Sequence, residues 1–218
     1  MKKDYLISSL VLVFTILLVF VVTRSFFLEF AAEYKLLGGF VKFFFLATIG
    51  DFIGMRLRMK QWKIPTSILS KAFVWGFIGI TIVLMFKIFP VGVMALQSSK
   101  ILPFEGTTFF FALFVSVLMN FTFAPTMMAF HRVSDTYLEL KKTDRKITIG
   151  ATIESINWRQ FIDFTVFKTI PFFWVPAHTI TFLLPEEYRV IVAALLGIVL
   201  GIILGVFKNE KCKMKNVE

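Results

Sequence analysis

The chain holds one cysteine in 218 residues, Cys212, and it sits in the polar C-terminal tail. That excludes an intramolecular disulfide, a CxxC redox pair and any cysteine-based metal site. Histidine is almost as scarce. The two present, His131 and His178, lie in different segments without a carboxylate cluster beside them. No HExxH, GxSxG or glycine-rich phosphate loop occurs. We therefore expect no catalytic residues, no metal site and no bound cofactor, and read the chain as not an enzyme. Charge is sparse as well: 17% of residues are charged, where soluble domains carry about 25%. Acids are the scarcer sign, 14 against 24 basic residues. Internal repeats, Gly/Ser linkers and low-complexity tracts are absent.

What fills the space is apolar. Hydrophobic residues make up 57% of the chain, 29 of them phenylalanine, and the mean hydropathy is +0.80. A soluble domain of this length could not bury that surface, so a bilayer must act as solvent for part of it. Six apolar segments are legible, at 6–22, about 36–57, about 72–89, 107–130, about 161–184 and 190–207. Their length is near the roughly 20 residues a helix needs to cross the hydrocarbon core. Barrel strands would be about 10 residues long with alternating polarity. The expected fold class is therefore all-α, a polytopic transmembrane bundle of about six helices. We expect one bundle domain over 1–218, with an N-terminal helix at 5–23 and a basic tail at 208–218. The one long polar connection, 131–160, offers a helical extension over 134–142 with a turn at Thr143-Asp144.

The basic residues between segments fall on alternating sides. One side collects 16 and the other 4. Cytoplasmic loops carry the excess of Lys and Arg, which places both termini in the cytoplasm. The N-terminal run follows Lys2-Lys3 but lacks a small-residue cleavage site, so it reads as a retained anchor. No organelle presequence is apparent, which points to a bacterial plasma membrane, or an organellar membrane in a eukaryote. The net charge of +10 is explained by this topology. The expected partners are the lipid bilayer and anionic headgroups at the cytoplasmic loops, with no nucleic acid; homo-oligomerisation is left open.

Ionisable residues inside apolar segments are costly and tend to face a partner or a polar cavity. Lys42 and Asp51 lie in the second segment, Lys87 in the third, and Asp163, Lys168 and His178 in the fifth. Asp51 and Arg58 are two helical turns apart, so Asp51 is expected to be buried against a basic residue, Arg58 being one candidate. Pro171 and Pro176 are expected to interrupt the fifth segment, because proline lacks an N–H and clashes with the preceding turn. The stretch from Trp174 to Pro185 would then unwind or fold back, and Lys87, Lys168 and His178 would border a polar cavity.

A family resemblance rests on residues spread over 36–207. Gly50-Asp51 ends the second segment, and Gly76-Phe77-Ile78-Gly79 opens the third, with Lys87 following. Pro125 sits inside the fourth. Asn157-Trp158 precedes the fifth, and Pro171, Trp174, Pro176, Phe182, Pro185, Tyr188 and Arg189 follow in order. In order and approximate spacing the chain resembles the Mpv-seventeen / peroxisomal membrane protein twenty-two family. It departs from that family's pattern where Val175 separates Trp174 from Pro176, where His178 and Thr181 replace Gln and Asn, and where Met85-Phe86 precede Lys87. The resemblance implies a small helical membrane protein, with some members looking like weakly selective channels for small solutes.

Three functions follow as expectations: a channel or facilitator for small polar or anionic solutes, a membrane-structural protein without transport, and, more remotely, a membrane-embedded enzyme.

Overall fold

The computed structural model describes residues 2–22, 24–62, 67–144 and 146–214, with side chains described outside 2–6, 22, 28, 58 and 204–214. Every regular element among the described residues is helical: α1 Lys2–Val22, α2 Ser25–Glu33, α3 Lys35–Met59, α4 Ile68–Ser98, α5 Thr108–Thr143, α6 Ile149–Ser155, α7 Trp158–Gln160, a π-helix over Phe161–Trp174, α8 Val175–Leu183 and α9 Glu186–Met214. Three of these are long and apolar enough to span a membrane: the Lys35–Leu57 part of α3, α4 and α5. The bent pair Ile7–Val21 and Ser25–Glu33 would make a fourth. A helix satisfies the hydrogen bonds of a backbone in hydrocarbon within the one segment.

The chain divides into two compact units, one of Met1–Ile80 with Ile191–Glu218 and the other of Thr81–Val190. The first is built on small residues. A Cβ on Gly50 would lie 3.1 Å from the backbone nitrogen of Ile198, and one on Gly201 would lie 3.1 Å from the carbonyl oxygen of Gly50. Nearer the start of α3, a Cβ on Gly76 would collide with the ring of Phe40, and one on Gly79 would lie 2.5 Å from the carbonyl oxygen of Gly39. Lipid supplies no hydrophobic drive between helices, so close backbone approach at small residues and the dispersion it allows hold such pairs together. Phe40, Phe44, Phe73 and Phe77 pack beside this contact as tilted and edge-on rings.

In the second unit α8 packs along α5, and the π-helix and α6 also contact α5. Helix α5 has 36 residues and is about 54 Å long at 1.5 Å per residue, well beyond a hydrocarbon core of about 30 Å. Its last part is the extension expected at 134–142. It ends at Thr143, and Asp144 is extended, as its turn chemistry implies. The connection after α4 is tied down by the buried side chain of Gln97, whose amide donates to the carbonyls of Pro103 and Phe104, both at 3.2 Å.

Helix α4 runs on to Ser98, past the end near 89 read for the third segment, with Pro90 inside it. The expectation for the prolines of the fifth segment is corrected. The fifth segment is not interrupted: the π-helix carries Pro171 within it and passes into α8 with helical angles at Trp174 and Val175. Nothing between Trp174 and Leu183 unwinds or folds back. The wider turn explains this. In a π-helix each N–H reaches back five residues, as that of Val175 does to Ile170. Pro176 then falls in the first turn of α8, where a missing N–H costs little.

Candidate functional site

The densest polar cluster among the described residues lies inside the second unit, between α5 and α8. Ser116 and Asn120 are four residues apart on α5, so they share a face, and both are fully buried. Ser116 Oγ donates to the carbonyl of Val175 at 2.7 Å. The Asn120 amide nitrogen donates to the Ser116 carbonyl at 2.8 Å and lies 3.2 Å from Ser116 Oγ. His178 Nδ1 lies 3.0 Å from the amide nitrogen and 3.1 Å from the amide oxygen of Asn120. Either tautomer of the ring therefore finds a partner there.

Aromatic rings close the cluster. Trp174 stacks on His178 with centroids 5.1 Å apart, and Phe86 meets the imidazole edge-on at 5.8 Å. Phe182, nearly fully buried, packs on Phe86. Thr179 and Thr181 donate back to the carbonyls of Val175 and Ala177, each at 2.8 Å. One donor is left over. The indole Nε1 of Trp174 is buried and has no hydrogen-bond partner among the described residues.

This is a different site from the one expected. Only His178 of the three cavity residues belongs to it. Lys87 is 62% exposed and its Nζ pairs with Glu186 Oε1 at 3.0 Å. Lys168 lies on an exposed face of the π-helix. Lys168 is exposed while His178, ten residues on, is buried, so the two do not border one cavity. Lys42 is buried in the first unit, its Nζ 5.7 Å from the ring centre of Phe27.

Asp51 is half-buried, and its Oδ2 accepts from Trp75 Nε1 at 2.7 Å. Trp75 is thus one partner of Asp51; the side chain of Arg58, the basic candidate, lies outside the described residues. The remaining motif residues are placed as follows. Gly50, Gly76 and Gly79 are the close approaches described above. Pro125 sits in α5 without ending it. Trp158 donates to the Ile153 carbonyl at 2.9 Å and meets Phe161 edge-on. At Pro185 the chain turns, the N–H of Tyr188 bonding back to its carbonyl at 3.1 Å. Arg189 closes that turn: its Nε donates to the Leu184 carbonyl at 2.9 Å, and its guanidinium lies over Phe182 at 5.6 Å.

Ser116 and Asn120 carry no charge and sit in an otherwise apolar run, which is why ranking by charge passes over them. The usable signal was a Ser and an Asn at helical spacing within a membrane segment, since such side chains bond across helices.

No family model, no curated protein and no solved structure matches the chain.

Proposed function

We propose that the chain is a multi-pass membrane protein, crossing six times with both termini in the cytoplasm, that facilitates passage of small uncharged polar solutes. The observation that carries the solute reading is the buried Trp174 indole N–H, unpartnered beside the Ser116–Asn120–His178 cluster. A buried donor without a partner is costly, and a water or a solute hydroxyl passing the cluster would satisfy it. Anionic solutes lose their support because Lys87 and Lys168 lie outside the cluster. The family resemblance and a plasma-membrane location stay part of this proposal, as does the basic-residue asymmetry of 16 against 4.

Two measurements test it. Reporter fusions at Lys63 and Lys146 are expected to read cytoplasm, and fusions at Ser98 and Glu187 the outside; a periplasmic signal at Lys146 would overturn the topology. Purified protein in liposomes is expected to speed glycerol or urea equilibration over protein-free vesicles in stopped-flow light scattering, and Trp174→Phe to reduce the gain. Equal rates with and without protein would remove the transport reading.

A second reading, a membrane-structural protein, is favoured by a different observation: Ser116, Asn120, Thr179, Thr181 and His178 Nδ1 all have hydrogen-bond partners within the unit. Such a network holds helices together without transport.

A further inference from the structure

We propose that a cleft at the end of the second unit is a binding site for the phosphate headgroup of an anionic phospholipid. It rests on the membrane topology proposed above, which puts this end at the cytoplasmic interface. The cleft encloses about 190 Å³ where α5, the α6–α7 connection and the start of the π-helix meet. Arg132 from α5 lines it together with Asn157 and Gln160, and Ile156, Phe161 and Phe164 form its apolar wall.

Its chemistry is one-sided. The guanidinium of Arg132 makes no hydrogen bond or ion pair among the described residues, and the amide nitrogens of Asn157 and Gln160 are likewise unpartnered there. The Asn157 side chain is held in place from its other end, where its oxygen accepts from the Gln160 N–H at 3.0 Å. Two of the acids on the same elements face other bases: Asp163 faces Arg159 at 3.7 Å, and Asp135 faces His131 at 4.0 Å. A planar guanidinium flanked by two amide donors matches the oxygens of a phosphate. Ile156 and Phe161 are buried and Phe164 is exposed, an apolar strip suited to the first methylenes of an acyl chain. Trp158, beside the cleft, is a residue type enriched at the level of lipid headgroups. Diffuse attraction of the basic loops to anionic lipid would need none of this arrangement.

The experiment is native mass spectrometry of the full chain in detergent, titrated with phosphatidylglycerol and with phosphatidylcholine, with insertion checked separately by resistance to alkaline extraction from vesicles. Wild type is expected to retain one phosphatidylglycerol in preference to phosphatidylcholine. Arg132→Gln, at an exposed position, is expected to weaken that binding about tenfold, the loss of a charge-assisted hydrogen bond. Arg132→Lys is expected to recover part of it, and Arg159→Gln, which removes the same charge outside the cleft, to leave it unchanged. Equal losses in Arg132→Gln and Arg159→Gln would overturn the site in favour of diffuse attraction. Displacement by millimolar glycerol phosphate would overturn the lipid as its occupant in favour of a soluble phosphate compound. An alkali-resistant protein without lipid preference would sink the cleft and leave the topology standing, whereas an alkali-extractable protein would sink both.

Discussion

Asn120→Leu is expected to lower the stability of the detergent-purified protein by about 1–3 kcal/mol, the cost of leaving a buried polar partner unsatisfied. Asn120 lies within hydrogen-bond distance of both Ser116 and His178, and it is fully buried. Ser116 keeps its bond to the Val175 carbonyl in the variant, so the loss concentrates on His178 Nδ1. His178→Leu is expected to cost a similar amount, because the Asn120 amide then faces an apolar side chain. The two changes together are expected to cost less than their sum by about 1 kcal/mol, since the double variant leaves neither partner stranded. Thermal unfolding of the four proteins in one detergent measures this. Additivity within about 0.5 kcal/mol would mean that the 3.0 Å contact contributes nothing. The same variants separate the two functional readings. Transport requires Asn120→Leu to slow solute flux in liposomes more than it reduces the folded fraction. A structural network requires flux, if any exists, to track the folded fraction alone.

What could be read from residue order was what depends on local chemistry and average polarity. Apolar runs of membrane-spanning length located the long helices. The Thr143-Asp144 turn located the end of α5. Prolines were legible as positions but not as consequences. Pro90, Pro171 and Pro176 all remain in helical backbone; at Pro171 a wider turn and at Pro176 a helix start removes the need for the missing N–H. Partners distant in sequence were not legible. Lys87 stood out as a charge in an apolar run, but its carboxylate, Glu186, is 99 residues away. Asp51 stood out in the same way, and its indole donor comes from the next helix. The polar cluster was hidden for another reason: one Ser and one Asn barely change the average polarity of the segment that carries them. The glycines at 50, 76 and 79 were visible as a spacing pattern, and only the packing of α3 against α4 and α9 gives them a physical role.

That role gives the largest expected effect on folding. A Cβ on Gly79 would lie 2.5 Å from the carbonyl oxygen of Gly39 and 2.7 Å from the Cβ of Phe43. Both are backbone or backbone-proximal atoms, so no change of rotamer relieves the clash, and α3 and α4 must separate. Gly79→Ala is expected to destabilise by about 1–3 kcal/mol, the usual cost of overpacking. Gly79→Val adds two methyls at the same point and is expected to prevent accumulation of folded protein. Gly92 lies on the same helix and supplies the control: a Cβ there meets nothing within 4 Å. Gly92→Ala is expected to be neutral or to stabilise by up to about 1 kcal/mol, because alanine favours a helix interior over glycine. Comparing the two alanine variants cancels the propensity term, which is the same for both, and leaves the steric one. Unfolding midpoints in detergent, with size-exclusion profiles to follow the folded fraction, provide the measurement. If Gly79→Ala and Gly92→Ala unfold at the same midpoint, the close approach of α3 and α4 at Gly39 and Gly79 is absent from the protein in solution.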